Sequence, residues 1–159
     1  MRLTSYTDYA LRTLIYLGQH AEQLATIQDI ADLHGISKNH LMKVVNHLAQ
    51  GGYVDTVRGR HGGLRLARTP DAINIGDVVR HTETDFFMAE CFGPEHSECA
   101  YASACILKGA LGRATAAYLA VLDALTLADL IAPIVRQRQH ALTRVPAPSA
   151  PGSKARRQG

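Results

Sequence analysis

Two short helical patterns joined by one glycine constrain this chain more than any other feature. Residues 26–34 read as a helix stopped by Gly35, and Ser37 stands ready to cap a second helix that ends at Gln50 before Gly51-Gly52. In the second helix Leu41, Val44, Val45 and Leu48 fall at i, i+3, i+4 and i+7, a single stripe to be buried. Two helices held by a tight glycine turn make a helix-turn-helix. The face opposite the stripe carries Asn39, Lys43, Asn46, His47 and Gln50. These are donors and acceptors of the kind that read base edges and phosphates in a major groove.

After Gly52 the apolar period changes to two. Tyr53, Val54 and Val57 precede a turn at 58–63, and Leu64 and Leu66 follow it, the pattern of a β-hairpin. The fold class is therefore mainly α with a small β-hairpin wing, a winged helix-turn-helix. Overall charge says little, since 17 Lys and Arg face 14 Asp and Glu. Its distribution says more: between residues 51 and 70, Arg58, Arg60, Arg65 and Arg68 stand against the single acid Asp55. Positive charge is gathered where a wing would meet a polyanionic duplex.

An amphipathic helix over 4–18 precedes this unit, with Thr4 or Ser5 as its N-cap and Ala10, Leu11, Leu14, Ile15 and Gly18 on its apolar side. Asp8 sits in its first turn, where an acid suits the helix dipole and can pair with Arg12 at i,i+4. Residues 70–84 read as a short connecting helix. The DNA-binding unit is thus assigned to 1–84, an aperiodic cysteine loop to 85–105, and helices to 103–143. The first of those, 103–127, carries Leu107, Leu111, Ala114, Tyr118, Leu122 and Leu125 in a stripe. Roughly 25 residues would span about 37 Å, too long for a small wing domain to cover, so pairing with a second subunit is expected. Thr126 with Asp129 outlines a capping box for a last short helix before Pro133. The proline-rich, basic stretch 144–159 reads as a disordered tail.

Cys91, Cys99 and Cys105 are the only cysteines. An odd number within one short segment argues against a disulfide framework and for metal binding or redox chemistry. Glu90, Glu95, His96 and Glu98 lie among them. Zinc would need a closed set of four ligands, which His96 could complete, but the C-x2-C knuckle common in zinc sites is missing. An iron-sulfur cluster tolerates wider spacing and stands ahead of zinc. Arg2, Asp8 and Arg12 interrupt any signal-peptide core, and no apolar run approaches a membrane span, so a cytoplasmic protein without a membrane partner is expected. An enzyme is not expected: no hydrolytic triad or cofactor loop appears, and the glycine-rich turn 59–63 lacks the GK[ST] ending of a phosphate loop.

The opening Met1-Arg2-Leu3-Thr4 with Tyr6-Thr7-Asp8-Tyr9-Ala10-Leu11-Arg12, the helix-turn-helix 27–48, the wing 58–63, Glu90-Cys91-Phe92, and Tyr118, Leu122 and 126–130 together resemble the nitric-oxide-sensing branch of the Rrf-type winged-helix regulators. The resemblance covers nearly everything except the tail. It implies a homodimeric repressor of a double-stranded DNA operator that carries an iron-sulfur cluster, 4Fe-4S ahead of 2Fe-2S, and releases DNA when nitric oxide attacks that cluster. It implies cluster ligation by Cys91, Cys99 and Cys105, with Asp8 reaching across from the partner subunit as an oxygen ligand. From the polar helix face and the basic wing themselves, DNA contacts are expected from Ser37, Lys38, Asn39, His40 and Lys43 on the second helix of the motif and from Arg58, Arg60, His61, Gly62 and Arg65 on the wing. A related cluster-biogenesis branch has a histidine three residues after its third cysteine. Here that residue is Lys108. The seven residues between Cys91 and Cys99 exceed the spacing of relatives, which leaves His96 or a neighbouring glutamate open as a substitute ligand. An iron, redox or cluster-status regulator on the same scaffold is the alternative reading.

Overall fold

The computed structural model describes residues 2–93, 99, 101 and 105–143. Thr4 starts helix α1 (Ser5–Gln19) by accepting a hydrogen bond from Thr7 N at 3.2 Å. The apolar side of α1 is the centre of the core. Ala10, Leu14 and Leu17 are buried, and the helix packs against α2 (Ile27–His34), α3 (Lys38–Gln50), α4 (Ile75–Thr82) and α6 (Leu127–Thr143). Thr7 and Thr13 are buried in the same face. Their hydroxyls are satisfied, Thr13 donating to Tyr9 O at 2.7 Å and Thr7 pairing with the Thr4 hydroxyl at 3.2 Å.

A reciprocal capping box between Thr26 and Asp29 begins α2, and Gly35 ends it in the left-handed conformation at φ 64°. Ser37 caps α3, and Leu41, Val44, Val45 and Leu48 form the buried stripe that the heptad spacing requires. Strands β1 (Val54–Val57) and β2 (Gly63–Leu66) pair antiparallel, Val54 opposite Leu66 and Asp55 opposite Arg65. The hairpin is pinned at its base: Ala25 and Leu64 exchange backbone hydrogen bonds of 3.0 and 2.7 Å.

Three elements depart from the sequence reading. The connecting helix over 70–84 is a 3-10 turn at Pro70–Ala72 followed by α4, because Ile73 interrupts it to pair with Leu127. The long helix is α5 (Ile106–Asp123), 18 residues and thus about 27 Å rather than 37 Å. It stops where Leu125 turns back to accept from Ile75 N, and where Thr126 and Asp129 start the next helix. Helix α6 does not end at Pro133 but runs through it. Proline there leaves the carbonyl of Asp129 without its helical donor, which an exposed site tolerates, and both residues are exposed. The expected disordered tail, 144–159, lies outside the described residues.

The junction of α4 with the α5–α6 turn is held on several sides. Arg80 grips Asp123 with two hydrogen bonds of 2.6 and 2.7 Å, and Asn74 donates to Asp123 O at 2.7 Å. The grip holds the Asp123 carboxyl below the usual carboxylate range. Gly76 is buried directly beneath it, and a Cβ there would collide with the Asp123 carboxylate and approach Arg80 Nη1 at 2.9 Å. Gly76→Ala is therefore expected to cost about 1–3 kcal/mol, the usual penalty for overpacking. A lower denaturant midpoint with an unchanged m-value will report it. Wild-type stability would show that the clamp yields without cost.

Candidate nucleic-acid interface and cysteine site

At about 100° per residue, the surface of α3 divides into three sectors. Leu41, Val44, Val45 and Leu48 face the core. His40 and His47 lie on the side toward α1, while Lys38, Met42 and Asn46 lie on the side toward the wing. Asn39 and Lys43 occupy the crest between them, exposed. Ser37 is engaged as the N-cap, accepting from His40 N at 3.3 Å. The His40 ring packs edge-on to Tyr9, with centroids 5.2 Å apart.

His47 leaves the reading face to which its polarity had assigned it. It is half-buried, its ring 4.2 Å from His81 and 5.7 Å from Tyr6, and its carbonyl bonds His81 Nε2 at 3.0 Å. Burial, and then the neighbouring His81, push its pKa below the usual imidazole value. Tyr6 donates to Lys43 O at 3.0 Å. Thus α1 supports the outer helix of the motif through side-chain contacts as well as through the core.

The wing arginines sort into two kinds. Arg68 donates to Gly51 O at 3.2 Å and stacks over Tyr53 at 5.2 Å, while Arg65 pairs with Asp55 across the hairpin at 3.4 Å. Arg58, Arg60 and His61 are exposed at the tip, and among the described residues neither arginine has an ion-pair partner. Gly62 is needed for room, since a Cβ there would run into Val57 O. Between the wing, α2 and α3 runs a groove of about 490 Å³ lined in part by Gln28, Lys38, Met42, Asn46, Thr56 and Val57. Gln28, Met42 and Thr56 escaped the sequence reading. Helical position alone would have put Met42 on the outer surface, between Lys38 and Asn46 one turn to either side.

Cys91, Cys99 and Cys105 are free thiols. Cys91 lies in a 3-10 turn, Glu90–Phe92, whose Phe92 ring comes within 5.7 Å of Lys108 Nζ and rests 3.9 Å from a Cβ position at Gly112. Phe92 thereby docks the Cys91 turn on the first turns of α5. Cys105 is the N-cap of the same helix, its Sγ accepting from Lys108 N at 3.3 Å. Cys91 and Cys105 are half-buried and Cys99 is exposed. Sulfur ligands around an anionic cluster suit the positive end of a helix, and the donor set is soft, as iron-sulfur ligation requires. The residues fit the group. Glu95, His96 and Glu98 lie outside the described residues. Among the described residues no three His, Cys, Asp or Glu side chains already converge on one point.

Asp8 is found with Arg12, at 3.0 and 3.1 Å through both carboxylate oxygens, and both side chains are nearly half-exposed. His34 lies close enough to feel both charges. Its buried Nε2 has no hydrogen-bond partner, and burial above all, then Arg12, lowers its pKa while Asp8 raises it.

A helix-turn-helix with a pinned hairpin wing and a basic tip defines a DNA-binding transcriptional regulator of the winged-helix class. Residues 3–133 match the Rrf2 family, described as iron-dependent transcriptional regulators, and the chain belongs to that family. It is 54% identical over 132 residues to the HTH-type transcriptional regulator NsrR of Bacillus licheniformis, covering 82% of this chain and 92% of that protein. The NsrR of Bacillus subtilis is 53% identical over the same length, 82% of this chain and 90% of its own. Among solved structures, IscR of T. potens superposes with a TM-score of 0.66 at 25% identity over 96% of this chain and 94% of its own. CymR of B. subtilis, the global cysteine regulator, gives 0.65 at 28% over 82% and 96%. These relatives are named as regulators, a non-enzymatic role that agrees with the sequence reading. Among the described residues no helix is long and apolar enough to cross a membrane.

Each free phosphate contact contributes about 0.9 to the salt slope of duplex binding. Arg60→Ala is expected to flatten a plot of log affinity against log salt by about that amount, whereas Arg68→Ala, whose guanidinium is engaged by Tyr53 and Gly51, leaves the slope unchanged. Equal slopes for wild type and Arg60→Ala would take the wing tip off the phosphates.

Proposed function

We propose that this chain is a cytoplasmic, homodimeric repressor that binds operator DNA when an iron-sulfur cluster, 4Fe-4S ahead of 2Fe-2S, is in place, and lets go when nitric oxide destroys it. The docking of the Cys91 turn on the helix that Cys105 caps is the observation that carries this reading. Identity above one half to proteins named NsrR supports it further. Cys91, Cys99 and Cys105 would hold the cluster, with the partner subunit's Asp8 as oxygen ligand. When bound, the cluster supplies iron sites open to nitric oxide.

The second subunit has a prepared surface. Leu107, Ala110, Ala114, Ala117 and Val121 follow the alternating three-four spacing of a helix-pairing seam along α5. No residue of α5 is buried within the chain, and Leu107 and Val121 are each 64% exposed. Among the described residues none covers that seam, and pairing with a second subunit would gain its burial.

Asp8 then has two competing partners. In the single chain it is held by Arg12, and to reach across the dimer it leaves or shares that pair. A carboxylate is a harder, weaker ligand for iron than a thiolate, so Asp8 would be the most labile of the residues that would hold the cluster. With that ligation lost, Asp8 would return to Arg12 and α1 would be uncoupled from the partner's cysteine segment. Helix α1 packs on α3 and bonds it through Tyr6 and Lys43, so the release reaches the DNA-reading helix. Losing a few kcal/mol of such preorganisation lowers affinity on the order of 100-fold. The family's description as iron-dependent favours one second reading, a sensor of iron or of cluster status on the same ligands.

Cys99→Ala, an exposed position, is expected to fold but to lose both the visible cluster absorption and high-affinity operator binding. Binding at wild-type strength without colour would separate the cluster from DNA control. Asp8→Ala should keep the colour while shifting the absorption and the rate of its loss to nitric oxide, and an unchanged spectrum and rate would remove Asp8 from the ligand set. Val121→Glu should leave the helical content intact and yield monomers in sedimentation, whereas persistent dimers would place the seam elsewhere.

A further inference from the structure

The groove between α3 and the wing has an apolar floor that nothing among the described residues covers. Met42 is 43% exposed and Val57 38%, although Met42 projects from a helix whose core stripe is complete without it. Lys38 and Asn46 flank Met42 one helical turn to either side, and Gln28 faces it from α2. Among the described residues no carboxylate lines the groove. With Arg58 and Arg60 beyond it at the wing tip, the surroundings are cationic or neutral and hydrogen-bonding, a match for a polyanionic duplex and a mismatch for a basic protein surface.

Only one ordinary base offers an apolar group in the major groove, and that is thymine with its 5-methyl. Methionine is an unbranched thioether that shapes itself to small apolar partners. We propose that Met42, backed by Val57, is a specificity-determining contact that seats a thymine methyl group of the operator, so that this side of each half-site is read by methyl burial beside the hydrogen bonds of Asn46 and Lys38. The proposal rests on the reading of α3 as the DNA-reading helix and adds the base that it selects.

Duplexes enriched from random sequence by the full-length protein, isolated anaerobically, provide the probe. Each thymine is replaced in turn by deoxyuridine, which removes the methyl and keeps the base pairing, and affinities are measured by fluorescence anisotropy at fixed salt. Burying one methyl contributes ~0.8 kcal/mol, or about fourfold in affinity. Uracil at one thymine per reading helix should weaken wild-type binding by about that factor. In Met42→Ala the same replacement should cost about twofold or less, while Met42→Leu, which keeps an apolar surface, retains the penalty. A uracil penalty undiminished in Met42→Ala, or a wild type indifferent to uracil at every thymine, overturns the proposal and leaves DNA binding standing. Failure to enrich any duplex would remove the proposal together with the reading beneath it.

Discussion

The bidentate grip of Arg80 on Asp123 is the constraint through which the two halves of this molecule act on each other. On one side lie α1, α3 and the wing, which form the reading head. On the other lies α5, which Cys105 caps and which has Phe92, with the Cys91 turn, against its first turns. Backbone bonds from Ile75 N to Leu125 O and from Leu127 N to Ile73 O run beside the grip. Together these ties join α5 to α4 at several points, the route by which a displacement of α5 would reach α4. The proposed sensing would need such a link, because an effect at one site reaches another only through an element with two arrangements that both sites bias.

The head has its own axis of transmission. Helix α1 is the common wall of the core and touches α3 by packing, by the Tyr6 hydroxyl on Lys43 O and by Tyr9 under His40. Its first turn carries Asp8, and its N-cap is tied to α4, with Thr4 N donating to Glu83 at 2.8 Å. In the proposed dimer, one helix would therefore carry a ligand for the partner's cluster at one end and brace the DNA-reading helix along its length. The Asp8–Arg12 pair is nearly half-exposed, so the proposed exchange of partners would cost little.

Much of this was legible in the sequence where short-range rules govern. The caps at Thr4, Thr26 and Ser37, the stop at Gly35 and the buried stripe of α3 all depend on neighbours within one or two turns. The hairpin was legible because period two differs sharply from 3.6. The family itself was readable from motifs spread over most of the chain. Long-range pairing was not. The early end of α5 depends on Leu125 meeting Ile75, fifty residues away. His47 was assigned outward because it is polar, yet a second imidazole, His81, makes an inward place tolerable. Met42 was not singled out by the sequence reading, and only the groove gives an apolar residue on that surface a role. At the cysteine site the residue types were legible, while the docking of Cys91 on α5 through Phe92 and Lys108 was not.

The central claim is that one cluster, held by Cys91, Cys99 and Cys105, decides whether the reading head binds DNA. The most direct measurement is an anaerobic titration of the protein, bound to a duplex it has itself enriched, with nitric oxide, following visible absorption and DNA anisotropy in the same cuvette. The account predicts that both signals fall together within a few equivalents of nitric oxide per cluster. A cluster that bleaches while the DNA stays bound, or that is indifferent to nitric oxide, would contradict it.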